Sequence, residues 1–283
     1  MQFPALTWNL FHGRDAPPDR GLFTWRSRLL RITERNATHV QVNRDLLPEF
    51  CQLLAAAEWD IALLQECPPR FAAPLATSCE AEAHRVLTSR NSLGFLRGAA
   101  ARLNPDLLAS AEGGSNLTLV RRGGSLGRIV ERRELVIRRR RPERRAMAFT
   151  RTESGVCAAN LHATNDRPDL ASEELRTAAA TATSWAGDAP LIFGGDLNLR
   201  PNRQAEVFEE LRDRFGLVAP TAPGSIDHLL ARGLEVVQLP VAWPPERREL
   251  AEDGLALRLS DHTPVETGFR MHVEGTELTT TRP

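Results

Sequence analysis

Residues 191–201, LIFGGDLNLRP, end a short apolar run in an acid and an amide two residues apart, Asp196 and Asn198. In an extended chain that spacing puts both side chains on one face. Such a pair can hold a metal-bound water and a phosphate oxygen. The same residue types also close strands as Asx turns, and the stretch alone leaves both readings open. Gly194 and Gly195, just ahead, permit close backbone approaches or unusual torsions.

The pattern recurs along the chain. Asn9, Glu66, His162, Asp227 and the neighbours Asp261 and His262 also stand at the ends of apolar runs. Strand ends facing loops are where rigid scaffolds carry their sites. A single polar strand end means little, but a set of acids, amides and two histidines forms a candidate hydrolytic constellation.

These positions need strands to carry them. Residues 3–11 read as a first strand, followed by a loop from His12 to Pro18. A short helix is expected in 25–35 and a stronger one in 45–57, where Leu46, Leu47, Phe50, Leu53 and Leu54 recur at helical spacing and Pro48 fits the first turn. Residues 59–64 form a buried strand that delivers Gln65 and Glu66. Further strands are expected at 116–121, 129–137, 146–150, 155–161, 225–231, 234–239 and 263–269. Helices are expected at 169–185, with Asp169 as N-cap and Gly187 past the end, and at 204–214. Residues 68–114 read as irregular strands and loops, and 244–254 as a charged surface loop. Hairpin-like pieces mixed with strand–helix–strand units point to an α/β (α+β) sandwich. With no composition break, one domain over 1–272 is expected, followed by a loose tail at 273–283.

The chain has 283 residues, 42% hydrophobic and 25% charged, which is ordinary globular usage and allows a large core. A formal net charge of zero argues against a general polyanion binder while leaving room for a local basic face. Every basic residue of the Lys/Arg class is Arg, so any phosphate contact from that class must be an Arg fork. Residues 121–145 hold eleven Arg and three Glu. A solvated strand face is preferred there over a track for a polyanion, since no Tyr, Phe or Trp is interleaved for base stacking. The four cysteines form no CxxC and read as reduced, buried thiols. The first residues show no basic leader with an apolar core, and no apolar run has the length to span a bilayer. A soluble cytoplasmic protein is the expectation, and nothing fixes the oligomeric state.

Six motifs occur in one order: WN at Trp8-Asn9, QE at Gln65-Glu66, NLH at Asn160 to His162, GDLN at Gly195 to Asn198, ID at Ile226-Asp227 and SDHTP at Ser260 to Pro264. Together they resemble the endonuclease/exonuclease/phosphatase superfamily, the DNase I-like hydrolases, over residues 8–264. The resemblance implies a four-layer sandwich of two packed mixed β-sheets flanked by helices. It also implies Mg2+- or Mn2+-dependent cleavage of phosphoester bonds by in-line attack of an activated water. The substrate is expected to be a phosphoester, nucleic acid among them, with a phosphodiesterase or nuclease leading. A phosphatase or a phospholipid head-group phosphodiesterase is the alternative. A non-catalytic binding module that keeps the fold is the competitor from another class.

The resemblance also suggests roles. Glu66 is expected to hold the metal, with Asn9 assisting and Asp261 nearby. Asp196 would orient or deprotonate the attacking water and Asn198 would hold a phosphate oxygen. His162 would contact the phosphate. His262, with an ordinary pKa of roughly 6.5, would serve as general acid–base, its ring held by Asp227. Asp261 and His262 are expected to point to opposite faces and serve different partners. Asn116 and Asn165 are candidates to border the substrate; a turn role weighs equally for Asn116, and capping of the following loop is the preferred reading for Asn165.

Overall fold

A computed structural model describes residues 1–88, 98, 101–139, 143–218 and 222–272. The expected tail at 273–283, together with Arg140 and Arg141 of the basic run, lies outside the described residues. The strands in chain order are β1 (Gln2–Asn9), β2 (Glu34–Arg35), β3 (Val40–Gln41), β4 (Ile61–Cys67), β5 (Ala81–Leu87), β6 (Ser115–Arg121), β7 (Ile129–Arg138), β8 (Arg145–Thr152), β9 (Cys157–His162), β10 (Leu191–Asp196), β11 (Asp227–Arg232), β12 (Glu235–Ala242), β13 (Glu249–Glu252), β14 (Leu255–Arg258) and β15 (Val265–Arg270). Six of them form one sheet in the order β12-β15-β1-β4-β6-β5, and five form a second in the order β11-β10-β9-β8-β7. Both sheets are mixed. The pairs β1/β4 and β9/β10 run parallel, and the other main pairings are antiparallel.

Strand periodicity explains the layering. Phe3 and Ala5 of β1 and Ile61 and Leu63 of β4 meet Ala158, Ile192, Leu229 and Ala231 of the second sheet in one buried cluster between the sheets. The alternate residues face outward. Leu6, Trp8, Ala62 and Leu64 pack against Phe50 and Leu54 of the helix Leu47–Ala56. On the far side, Leu161, Leu191 and Phe193 pack against Leu175, Ala178 and Ala182 of the helix Pro168–Ala186 and Leu211 of the helix Ala205–Phe215. Each fully buried Leu or Phe of this kind contributes about 1.5–3 kcal/mol. Strands covered on both faces lose their hydrophobic alternation, which is why their sequences read as unbroken apolar runs.

The layer between the sheets changes character along every strand. In β1 it runs Phe3, Ala5, Thr7, Asn9; in β4 it runs Ile61, Leu63, Gln65; in β9 it runs Ala158, Asn160, His162. At the polar end, amides tie the sheets together. Gln65 Nε2 donates to Asn160 Oδ1 at 2.8 Å, and Asn160 Nδ2 donates to the Leu64 and Leu117 carbonyls. The open mouth of the sandwich lies just beyond this belt.

Some local expectations need correction. Residues 68–114 contain regular structure: the helix Ala72–Ser78, strand β5 and the helix Pro105–Glu112. The last begins at Asn104, whose side chain accepts from the Leu107 N–H, with Pro105 at the first helical position. The segment 244–254 carries a short helix, Pro245–Arg248, and the hairpin β13–β14, turned by Asp253 (φ 50°) and Gly254 (φ 81°). Two successive positive φ values are what a tight primed hairpin turn requires. Asp169 is not the N-cap of its helix. Arg167 takes that place, Pro168 follows it, and Asp169 lies in the first turn. The helix expected within 25–35 is limited to Trp25–Leu30, ending at Arg31 in a left-handed conformation. Among the described residues, no helix is long and apolar enough to cross a membrane.

Candidate active site

Six segments meet at the mouth: the ends of β1, β4, β9 and β10, the start of β11, and the turn 260–262. Pairing across the second sheet aligns His162, Asp196 and Asp227 in one row, since Asp196 is registered with His162 on one side and Asp227 on the other. Asn9 sits at the end of β1 opposite them, and its Nδ2 donates to Asp196 Oδ2 at 2.9 Å across the gap. All four residues occupy positions whose parity faces the space between the sheets.

Glu66 does not share that parity. Alternation sends Gln65 inward and Glu66 away. The β4/β6 register shifts between Leu64 and Cys67, so three steps on β4 match two on β6, and Glu66 adopts φ 46°. This bulge re-aims the carboxylate into the mouth. Its Oε2 lies 3.2 Å from His12 Nε2 and its Oε1 3.8 Å from His162 Nε2. Phe11, His12, Asn198 and Ser260 around the mouth also have positive φ values. Backbone strain of this kind concentrates at functional sites.

Glycine is required in β10. A Cβ on Gly195, at φ 125°, would overlap the Leu161 carbonyl oxygen, and one on Gly194 would overlap that of His228. The strand can lie this tightly between β9 and β11 only without those side chains.

His262 is fixed from behind. Its N–H donates to Ser260 Oγ, which itself donates to the Asn9 carbonyl, and Trp8 Nε1 donates to the His262 carbonyl. Nδ1 of the ring lies 2.9 Å from Asp227 Oδ2, while Nε2 is 3.8 Å from Asp196 Oδ2. Burial disfavours charge on this ring. Asp227, followed by Asp196 and Asp261, outweighs it and raises the pKa to about 10. The imidazole is therefore a charged donor at neutral pH, not a group poised near 6.5. Asp261 and His262 both line the cleft, contrary to the expected opposite faces, because the chain bends after left-handed Ser260 rather than running extended.

His162 differs. It is buried, and Arg145 Nη1 lies 3.4 Å from its Nδ1. Burial first and Arg145 second push its pKa down to about 3. Arg145 has only donors to offer, so Nδ1 must accept and Nε2 carries the proton. That Nε2 points at Asp196 Oδ2, 3.4 Å away. Burial raises the Asp196 carboxyl above its ordinary range, with Asp227 and Glu66 adding to the rise against the pull of His262 and Asn9. Burial works against charge on Glu66 too, but His12, His162, His262 and Asn9 together hold it at about 2.

The resulting cleft has a volume of about 500 Å³, and Glu66, His162, Asp196, Asn198, Asp261 and His262 line it. Asn198 Nδ2 donates to the Ala163 carbonyl, leaving one amide hydrogen to face the cleft. Asn165 reaches the rim, where its Oδ1 accepts the Asp166 N–H. Asn116 lies elsewhere. It is wholly buried between the sheets and donates to the Ala146 and Asn160 carbonyls. The expected place beside the substrate is corrected to that of a pin between the two sheets.

A profile of the Endonuclease/Exonuclease/phosphatase family matches residues 6–262. The chain belongs to this family. Solved structures agree at the level of fold. A family protein from Bacteroides thetaiotaomicron superposes with TM-score 0.64 at 14% identity, covering 97% of each chain. A mannosyl-6-phosphatase from the same species gives 0.60 at 14% identity, covering 95% of this chain and 99% of that one. A humanised D. rerio TDP2 gives 0.55 at 17% identity, covering 95% and 99%. Comparison with curated protein sequences returns no match.

Family members typically depend on a divalent metal, and the donors here suit one. Glu66 is ionised, Asp261 and Asn9 stand close by, and buried Asp196 Oδ1 has no hydrogen-bond partner. Hard oxygens in that number fit Mg2+ or Mn2+. Asp196, Asp227 and His262 also bring three potential ligand atoms within 4.8 Å of one another. His262 Nδ1 already faces Asp227 there, so an ion at that point would have to break the pair.

Among the cleft residues that sequence reasoning missed, His12 and Arg145 touch the site's ionisable groups. His12 lies just past the strand end, in a turn that no periodicity marks. Arg145 was hidden in the basic run, although it alone of the described arginines in 121–145 lines this cleft. The others mostly pair on the outer strands: Arg132 with Glu82, Arg133 with Glu131, Arg138 with Glu174 and Arg144 with Glu134.

Proposed function

We propose that this chain is a divalent-metal-dependent phosphoesterase that uses water as its nucleophile. The observation that carries the reading is Asp196, set between two imidazoles of opposite character and facing ionised Glu66 across one cleft. When bound, Mg2+ or Mn2+ would supply Lewis-acid stabilisation of charge on the phosphoryl oxygens, with Glu66, Asp261 and Asn9 as its holders. The remaining work falls to the chain. Asp196, its affinity for a proton raised by burial, orients the attacking water and accepts its proton. His262 presents a charged Nε2–H to the phosphoryl group, and Asp227 keeps the ring in place through Nδ1. His162 donates from Nε2 as a neutral ring, and Asn198 adds an amide hydrogen.

Several arginines of residues 121–145 are paired with glutamates on the outer strands, in keeping with a solvated face there and not with a track for a polynucleotide. A small or terminal phosphoester suits a cleft of this size better, and the mannosyl-6-phosphatase neighbour supports that reading. The test is nitrophenol release from p-nitrophenyl phosphate and bis-p-nitrophenyl phosphate, run beside plasmid nicking, with Mg2+, Mn2+ and EDTA. The expected result is metal-dependent release that exceeds any nicking. A folded protein silent on all three substrates would favour the binding module instead.

A further inference from the structure

We propose that His12 is a direct ligand, beside Glu66, of the divalent ion in this cleft, and that the centre consequently favours nitrogen-accepting transition ions over Mg2+. The inference rests on the phosphoesterase reading for the presence of an ion, while its geometry stands on the turn after β1. His12 Nε2 is 3.2 Å from Glu66 Oε2. Neighbouring donors on an octahedral ion with bonds of about 2.1 Å stand about 3.0 Å apart. The two atoms are already spaced as adjacent ligands.

The backbone holds the ring there. Phe11, His12 and Gly13 have φ values of 49°, 53° and 75° in succession. Asn9 Oδ1 accepts the Phe11 N–H at 2.9 Å, and the Leu10 carbonyl accepts the Gly13 N–H at 2.8 Å. A Cβ on Gly13 would press into the Phe71 ring at 2.7 Å, so the turn is packed from beneath as well. Two non-glycine residues in the left-handed region need a reason, and aiming an imidazole at a metal carboxylate supplies one. Imidazole suits Zn2+, Fe2+ and Ni2+, whereas Mg2+ takes carboxylate, carbonyl and water oxygens. A nitrogen among oxygen donors therefore shifts preference along the transition series.

A His12 that merely hydrogen-bonds Glu66 from outside the coordination shell would also weaken metal binding, by about 10- to 100-fold on removal. Affinity alone does not separate the two cases, but spectroscopy does. The full chain is loaded with Mn2+ alone and its nitrogen couplings are read by electron spin-echo envelope modulation. Wild type should show coupling to a histidine nitrogen that changes on ¹⁵N-histidine labelling. His12→Asn, which tolerates positive φ, should abolish it, and His162→Asn should retain it. By calorimetry, His12→Asn should weaken Zn2+ more than Mg2+. Absence of nitrogen coupling in labelled wild type, where no variant needs to fold, overturns the proposal, as does coupling that survives His12→Asn. Failure of the underlying reading looks different: Mn2+ binding would then be unchanged by Glu66→Gln.

Discussion

The two sides of the cleft place the same residue type against opposite surroundings. On one side His162 is backed by Arg145; on the other His262 is backed by Asp227. Both present Nε2 to Asp196, at 3.4 and 3.8 Å. Burial and the arginine hold the first ring neutral, at about 3, while three aspartates hold the second charged, at about 10. The group behind each ring, more than the ring itself, decides whether it offers a neutral or a charged donor. A phosphoryl group between them would meet one of each.

Removing the charged side should cost most. His262→Ala is expected to lower kcat/KM by about 10²–10⁴-fold, with a melting temperature that shows the fold intact. Near-normal turnover would break the assignment. Asp227→Asn should cost less, about 10²-fold at the low end of that range. It should also move the alkaline limb of the pH–rate profile to lower pH, because the largest influence holding the His262 proton is gone. An unmoved limb would mean that Asp227 serves packing alone.

The two sides should also separate in stability measured without metal. His162 has a folded pKa below its unfolded value of about 6.5. Between that value and about 3 the unfolded chain binds the extra proton, so stability falls as pH drops through this window. His262 has a raised folded pKa. Its contribution is full below about 6.5 and is lost as pH climbs through about 10. His162→Gln should flatten the acid side of a plot of melting temperature against pH, and His262→Gln the alkaline side. Exchange of those two outcomes would overturn the contrast. The smallest effect is expected away from the cleft. Arg132→Ala and Arg133→Ala, whose ion pairs are exposed, should each change stability by less than about 1 kcal/mol and leave turnover unchanged.

Much of this arrangement was legible in the sequence, for reasons tied to particular residues. Asn9, His162, Asp196 and Asp227 end apolar runs at inward parity, so a simple strand reading places them together. Glu66 does not follow from alternation. It needs a bulge that propensity does not announce; its place at a strand end and the family resemblance mark it, but its parity does not. Asn116 has the right parity and the wrong depth, and sequence gives no measure of depth. Arg145 is one arginine among eleven in its segment, and composition masks it. The Asp253-Gly254 turn and the Asn104-Pro105 helix start were signalled by ordinary turn and cap chemistry. The surrounding segments lack strong periodicity, so these signals do not stand out in the sequence.

The most direct test is a crystal structure of the protein soaked with Mn2+ and inorganic phosphate. Anomalous density is expected within about 2.2 Å of a Glu66 carboxylate oxygen, with phosphate oxygens in contact with His162, Asn198 and His262. An ion seated on Asp227 and His262 in place of their hydrogen bond, with Glu66 left bare, would contradict the account.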